Sequence, residues 1–176
     1  TEEQLIKNWA DILLNNNKGI DRLNGQPLTK GEMQQLLDKV KELRTPLALN
    51  GFINGKSVTI TRDNPADKLH FGKDVSLTIY NRLEIASGKS FYQIARQPKF
   101  EHHSYILPKR RGDLVLLING MPVIHIELKS SKVPAMHAVN QITDKYIPEG
   151  VFTDSIFSLV QIFVAMNPEE MMYFAN

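Results

Sequence analysis

The chain has no cysteine. Disulfides and thiolate metal sites are therefore excluded, and any metal site must use oxygen or imidazole ligands. No apolar run approaches the length of about 18 residues that a membrane-spanning helix needs, so no membrane partner is expected. An excess of charge of one sign is lacking as well: 21 Lys and Arg against 19 Asp and Glu give a formal net charge of +2, which by itself does not indicate nucleic acid, although a local basic patch still can. There are no repeats and no low-complexity segment. The phosphate-loop pattern Gly-x-x-x-x-Gly-Lys-Ser/Thr is missing, so no nucleotide motor is expected within these residues. The start, Thr1-Glu2-Glu3-Gln4, has neither a Met nor signal-peptide character, and the end, Met172 to Asn176, stops on an apolar run. Both ends read as cuts within a longer protein.

What is present suits one α/β domain. The 176 residues are 42% hydrophobic, enough for a real core. Leu5, Ile6, Trp9, Ile12 and Leu13 recur at helical spacing. Thr29 with Glu32 forms a capping box ahead of Met33, Leu36, Leu37, Val40 and Leu43, and Pro46 limits that helix. The period then changes. Leu49–Ile53 and Ser57–Thr61 read as a hairpin around Asn54-Gly55, followed by strands at Val75–Tyr80 and Phe91–Ala95. Residues 113–118 and 123–128 are nearly continuous apolar runs, which predicts central strands buried on both faces. Residues 137–146 read as a helix, 158–165 as a buried strand and 171–174 as a short last one. The expected organisation is a single domain over 1–176: a helical part over 1–46, then a sheet-containing core over 47–176, a mixed β-sheet flanked by α-helices.

The chemistry lies in the hairpin turning at Asn119-Gly120. Strand residues alternate faces, so Val123, His125, Glu127 and Lys129 share one side. Two charges at the end of an otherwise apolar strand need a reason. The hairpin brings Asp113 opposite the Glu127 region. Mg²⁺ or Mn²⁺ takes oxygen ligands and keeps several waters; Asp113, Glu127 and the backbone carbonyl of Leu128 would supply a partial shell. Lys129 would orient an attacking water or neutralise developing phosphorane charge, and the reaction would be phosphodiester hydrolysis. Glu-x-Lys alone is common on exposed strands. The added Asp, the hairpin and the apolar flanks set this case apart.

At these residues the chain resembles the PD-(D/E)xK nuclease superfamily. Asp113–Lys129 (DLVLLINGMPVIHIELK) is similar to the nuclease segment of the R (HsdR) subunit of type I restriction-modification enzymes. So are Phe91–Gln97, Asn140-Gln141-Ile142 and Ser158–Asn167. The resemblance spans roughly residues 20–176 and implies a restriction-endonuclease-like α/β core. It implies Mg²⁺-dependent cleavage of double-stranded DNA without sequence readout by this domain. It further implies ATP used only by a motor outside these residues, separate methylation and specificity subunits, and a cytoplasmic setting. It adds Gln141 and Tyr146 to the catalytic set. Two positions depart from the family pattern. Gly112 stands where Pro is usual, with an expected effect on turn stiffness more than on chemistry. Gln141 and Tyr146 are five apart instead of four, which on an α-helix swings the second about 140° further round.

Other residues weigh less. Lys109, Arg110 and Arg111 could grip backbone phosphates beside the site or form a solvated loop. Glu101-His102-His103 is a weak metal pair. His125 reads as a satisfied core histidine, Asp74 and Glu84 as surface charges, and Trp9 as core or as contact with chain outside these residues. The alternatives are a RecB-like or resolvase-type nuclease sharing only the core, and a non-catalytic docking domain that keeps the fold.

Overall fold

The computed structural model describes all residues except 20, 44, 54–56, 80–87, 89 and 101–108. The chain forms two compact units, one of Ile6–Phe91 and one of Thr1–Leu5 with Tyr92–Asn176. The expected Glu84 and Glu101-His102-His103 features and the Asn54-Gly55 turn lie outside the described residues.

The first helix, α1 (Glu2–Asn16), carries Trp9 and Leu13 into the core, both fully buried. Helix α2 (Lys30–Lys41) opens on the expected capping box, with the Thr29 side chain accepting from the Glu32 N–H and the Glu32 side chain accepting from the Thr29 N–H. It ends at Lys41, ahead of Pro46. Pro46 instead begins a third helix, α3 (Pro46–Ile53), where a strand was expected. Local chemistry explains the difference. Thr45 Oγ1 accepts the Ala48 N–H at 3.1 Å, and proline at the first helical position has no N–H to leave unpaired. Strands β1 (Ser57–Thr61) and β2 (Asp74–Thr78) pair antiparallel and alternate exposed and buried residues.

The second unit is built on a five-stranded sheet of order β3-β6-β7-β8-β9. Its strands are β3 (Tyr92–Arg96), β6 (Leu114–Ile118), β7 (Met121–Leu128), β8 (Ile162–Met166) and β9 (Met171–Ala175). A two-residue ladder, β4 (Lys99–Phe100) with β5 (Arg110–Arg111), stands beside it. Only β7 and β8 run parallel. Their crossover contains helix α4 (Met136–Gln141), a π-helical turn (Ile142–Tyr146) and a 3-10 turn (Ile156–Leu159). Part of the apolar segment 158–165 thus turns before the strand begins, because Ser155 caps the 3-10 turn through the Phe157 N–H at 3.2 Å. The fold is a mixed α/β one, compatible with a restriction-endonuclease-like core. The crossover buries one face of the sheet: Val115, Leu117, His125, Glu127, Phe163 and Ala165. The opposite face, with Leu116, Ile124, Ile126 and Val164, is only half-buried, so the central strands are fully covered on one side and not on both.

Candidate active site

The site begins with a turn. Asn119 (φ 50°) and Gly120 (φ 83°) are both left-handed, which a two-residue hairpin loop requires. The loop pairs Ile118 with Met121 and Leu117 with Pro122. Continued without interruption, that register would set Asp113 against Ile126. The register shifts at Leu116/Leu117, and beyond it Leu116 pairs with Ile124 and Leu114 with Ile126. One more step places Asp113 opposite Glu127. The extra residue is Val123, next to Pro122, which cannot donate to a ladder and favours a bulge. A one-residue slip exchanges the two faces of a strand, so this bulge puts both carboxylates on the same side. Pro122 was the sequence signal for it.

Backbone contacts then fix Asp113. Its carbonyl accepts the Gln97 N–H at 2.7 Å, and its Oδ2 accepts the Leu128 N–H at 2.8 Å. Gly112 before it has a steric cause. A Cβ there would stand 2.6 Å from Cε1 of His125 and 2.9 Å from Cζ of Phe100. The departure from proline is therefore a matter of packing beneath the site and not only of turn stiffness.

Glu127 is buried at 3% exposure. Its Oε1 accepts from Gln141 Nε2 at 2.5 Å and lies 3.4 Å from the Tyr146 hydroxyl and 3.7 Å from Lys129 Nζ. Lys129 donates to Gln141 Oε1 at 2.6 Å. Gln141 thus ties the acid to the lysine with its two ends, and its Nε2 also reaches the Tyr146 hydroxyl at 2.5 Å. The five-residue spacing is absorbed by the π-helical turn, where Ile147 N–H bonds Ile142 carbonyl at 2.9 Å. An i→i+5 bond brings residues five apart one above the other, so Tyr146 faces the same way as Gln141. The expected swing of about 140° assumed a regular α-helix.

The Tyr146 hydroxyl also donates to the Arg111 carbonyl at 3.1 Å. Burial, then the nearby Glu127 carboxylate, push its pKa up to about 12 against the opposing Gln141 hydrogen bond, so it is a neutral donor. The start of α4 is set by Glu170, whose Oε1 accepts the Ala135 N–H at 2.6 Å; sequence reading gave no sign of this. A cleft of about 330 Å³ opens beside Lys129 and Gln141, lined also by His137, Asn140, Asp144 and Lys145.

Of the basic run, Lys109 and Arg111 are exposed. Arg110 makes a two-pronged ion pair with Glu149 at 2.8 and 2.6 Å, which raises its pKa further. Asp74 is an exposed residue of the other unit, bonded to Thr61 Oγ1 at 2.8 Å. His125 is buried, as expected, but it is not satisfied: neither ring nitrogen has a hydrogen-bond partner. No group of three or more His, Asp or Glu residues converges as a metal cluster among the described residues. No helix among them is long and apolar enough to cross a membrane.

The whole chain, residues 1–176, matches the model of the family described as type I restriction enzyme R protein N terminus. The chain belongs to that family. It is 32% identical over 178 residues, 99% of its length, to the type I restriction enzyme SauCOLORF180P endonuclease subunit of Staphylococcus aureus strain COL. It is 31% identical over 179 residues to the SsaAORF53P endonuclease subunit of Staphylococcus saprophyticus. A shorter match, 40% over 67 residues, covers 38% of this chain and 21% of the EcoprrI endonuclease subunit of Escherichia coli. The chain spans only 17% of the length of the two staphylococcal relatives.

Proposed function

We propose that this R-protein N-terminal chain is the Mg²⁺-dependent DNA endonuclease part of a type I restriction enzyme. The observation that carries the reading is the convergence of Asp113, Glu127, Lys129 and Gln141 at the end of one hairpin, made possible by the bulge at Val123. The donor set suits a hard divalent cation: two carboxylates, with Glu127 Oε2 buried and accepting no hydrogen bond, beside the Leu128 backbone carbonyl. Mg²⁺ is commonly held by one or two carboxylates, with waters and substrate phosphates completing the shell, so a larger protein cluster is not required. When bound, the cation supplies charge for the phosphate and acidity for a water.

The chain's own residues do the rest. Gln141 holds Lys129 Nζ near the Glu127 carboxylate, which keeps the side chain aimed at the reacting phosphate. Tyr146 accepts from Gln141 Nε2 and donates to the Arg111 carbonyl, bracing both, and does not act as a base. The cleft beside Lys129 accepts the scissile strand, with Lys109 and Arg111 on flanking backbone phosphates. Double-stranded DNA is the substrate, and sequence readout is left to the specificity subunit of the whole enzyme. The whole enzyme would pair this part with an ATP-driven translocase and with methylation and specificity subunits.

The test is to place Asp113→Ala, Glu127→Ala and Lys129→Ala separately in the assembled enzyme and to score DNA cleavage and ATP hydrolysis. Cleavage is expected to vanish while ATP hydrolysis continues. Normal cleavage by all three variants would sink the reading, and loss of both activities together would point to a docking role instead.

A further inference from the structure

Among the described residues, the buried side-chain polar atoms without a hydrogen-bond partner are Trp9 Nε1, both ring nitrogens of His125 and Oε2 of Glu127. All but the first belong to one pair of neighbouring residues. His125 Nε2 lies 3.3 Å from Glu127 Oε2, close but outside hydrogen-bond alignment. The imidazole is fully buried and caged by rings. Its centroid is 5.2 Å from that of Phe152, 5.8 Å from Phe100, 5.9 Å from Tyr146 and 6.3 Å from Phe163. Above it passes the Gly112 backbone, too near for any Cβ. As placed, the ring has no hydrogen-bond partner among the described residues. A leucine would fill such an aromatic cage without the two buried ring nitrogens that find no hydrogen-bond partner, each a group that is costly to leave unpaired. Packing therefore does not account for an imidazole here.

We propose that His125 is a positioning residue for Glu127. Its Nε2–H approaches Oε2 from the floor of the site while Gln141 Nε2 holds Oε1 from the helix side. The carboxylate is thereby kept in one orientation toward a divalent cation, each oxygen retaining a further lone pair. This rests on the reading of Glu127 as a metal ligand. Groups that orient a ligating side chain typically change metal affinity or activity by about 10- to 100-fold when removed.

The experiment uses Mn²⁺ as the probe, followed by electron paramagnetic resonance in the full-length subunit without nucleotide. Loss of Mn²⁺ binding in Glu127→Gln, read as a rise of the sharp free-ion signal, defines the site; unchanged binding in that variant would overturn the metal reading and this proposal with it. Given that loss, His125→Leu is expected to weaken Mn²⁺ binding by about 10- to 100-fold while thermal stability is kept or raised. His125→Gln, which restores an N–H donor, is expected to regain most of the affinity. Wild-type Mn²⁺ affinity in His125→Leu would overturn the role of His125 alone. So would equal losses of affinity in the Leu and Gln variants.

Discussion

Each of the two units buries carboxylates with a cation, and the two clusters are finished differently. In the unit of Ile6–Phe91, Arg62 is fully buried and every N–H of its guanidinium has an acceptor. Nε bonds Asp67 at 3.0 Å, NH1 bonds Glu32 at 2.5 Å and the Pro27 carbonyl at 3.2 Å, and NH2 bonds the Leu23 and Gln26 carbonyls at 3.3 and 2.9 Å. Glu32 spends its other oxygen on the Asp63 and Asn64 amides. Around Glu127 the cation is a lysine 3.7 Å away, one carboxylate oxygen has no hydrogen bond, and the neighbouring imidazole has none either. Complete pairing is what a buried charge needs for stability; incomplete pairing leaves valence for a ligand. The difference separates a structural ion network from a site more surely than burial, which both share.

The largest effect is expected where pairing is complete. Arg62→Leu leaves the Glu32 carboxylate buried without a cation and Asp67 with the His70 ring as its remaining side-chain partner, a loss of about 3–5 kcal/mol. Faster hydrogen exchange at the Asp63 and Asn64 amides, which Glu32 holds, would report it locally. Glu127→Gln is expected to cost DNA cleavage while leaving exchange in its own unit unchanged or slower, because it removes an under-paired charge. Comparable destabilisation by the two substitutions would break the comparison.

The sequence displayed the parts of the site better than their alignment. Asp113, the Asn119-Gly120 turn and Glu-x-Lys were legible because a type I′ turn and strand alternation are local rules. The capping box at Thr29 and Glu32 was legible for the same reason. The bulge at Val123 was not: a simple hairpin count sets Asp113 against Ile126 and not Glu127, and only Pro122 hinted otherwise. The π-helical turn was hidden because helix spacing was taken at its regular value. Gly112 and His125 could not be linked from sequence: their contact crosses between β7 and the segment before Asp113, and Phe100 completes it from a third place. The strand expected at Leu49–Ile53 failed because the Thr45-Pro46 helix start was read as a helix end.

The π-helical turn gives a smaller and more discriminating test. Deleting Asp144 shortens the Gln141–Tyr146 spacing to four, and a regular α-helix would then stack the two side chains. The turn exists to accommodate one extra residue, so cleavage by the assembled enzyme should stay within about 10-fold of normal, well short of the loss typical when an electrostatic donor is removed outright. Tyr146→Phe in the same assay gives the comparison for a lost hydroxyl. Cleavage abolished by the deletion but kept by Tyr146→Phe would show that the π-helical turn matters for something other than Tyr146.

The smallest effect concerns pH, and the two clusters should fail at opposite ends of the scale. At Asp67 burial works to raise the pKa, but hydrogen bonds from Arg62 and His70 outweigh it, and the net shift is below the ordinary 3.8. A carboxyl with a depressed folded pKa contributes stability that is present above its unfolded value and is lost as pH falls through the folded one. Tyr146 is the reverse case. Its folded pKa of about 12 lies above the unfolded value of about 10, so the folded state holds the proton more tightly. That contribution is complete below pH about 10 and disappears as pH rises toward 12. Tyr146→Phe loses the hydrogen bond to the Arg111 carbonyl, about 1 kcal/mol, and should flatten the alkaline limb of a urea-unfolding series without touching the acid limb. Superimposable alkaline limbs for the wild type and Tyr146→Phe would show that the hydroxyl is not held as the structure has it, and the contrast between the two clusters would then rest on Glu127 and His125 alone.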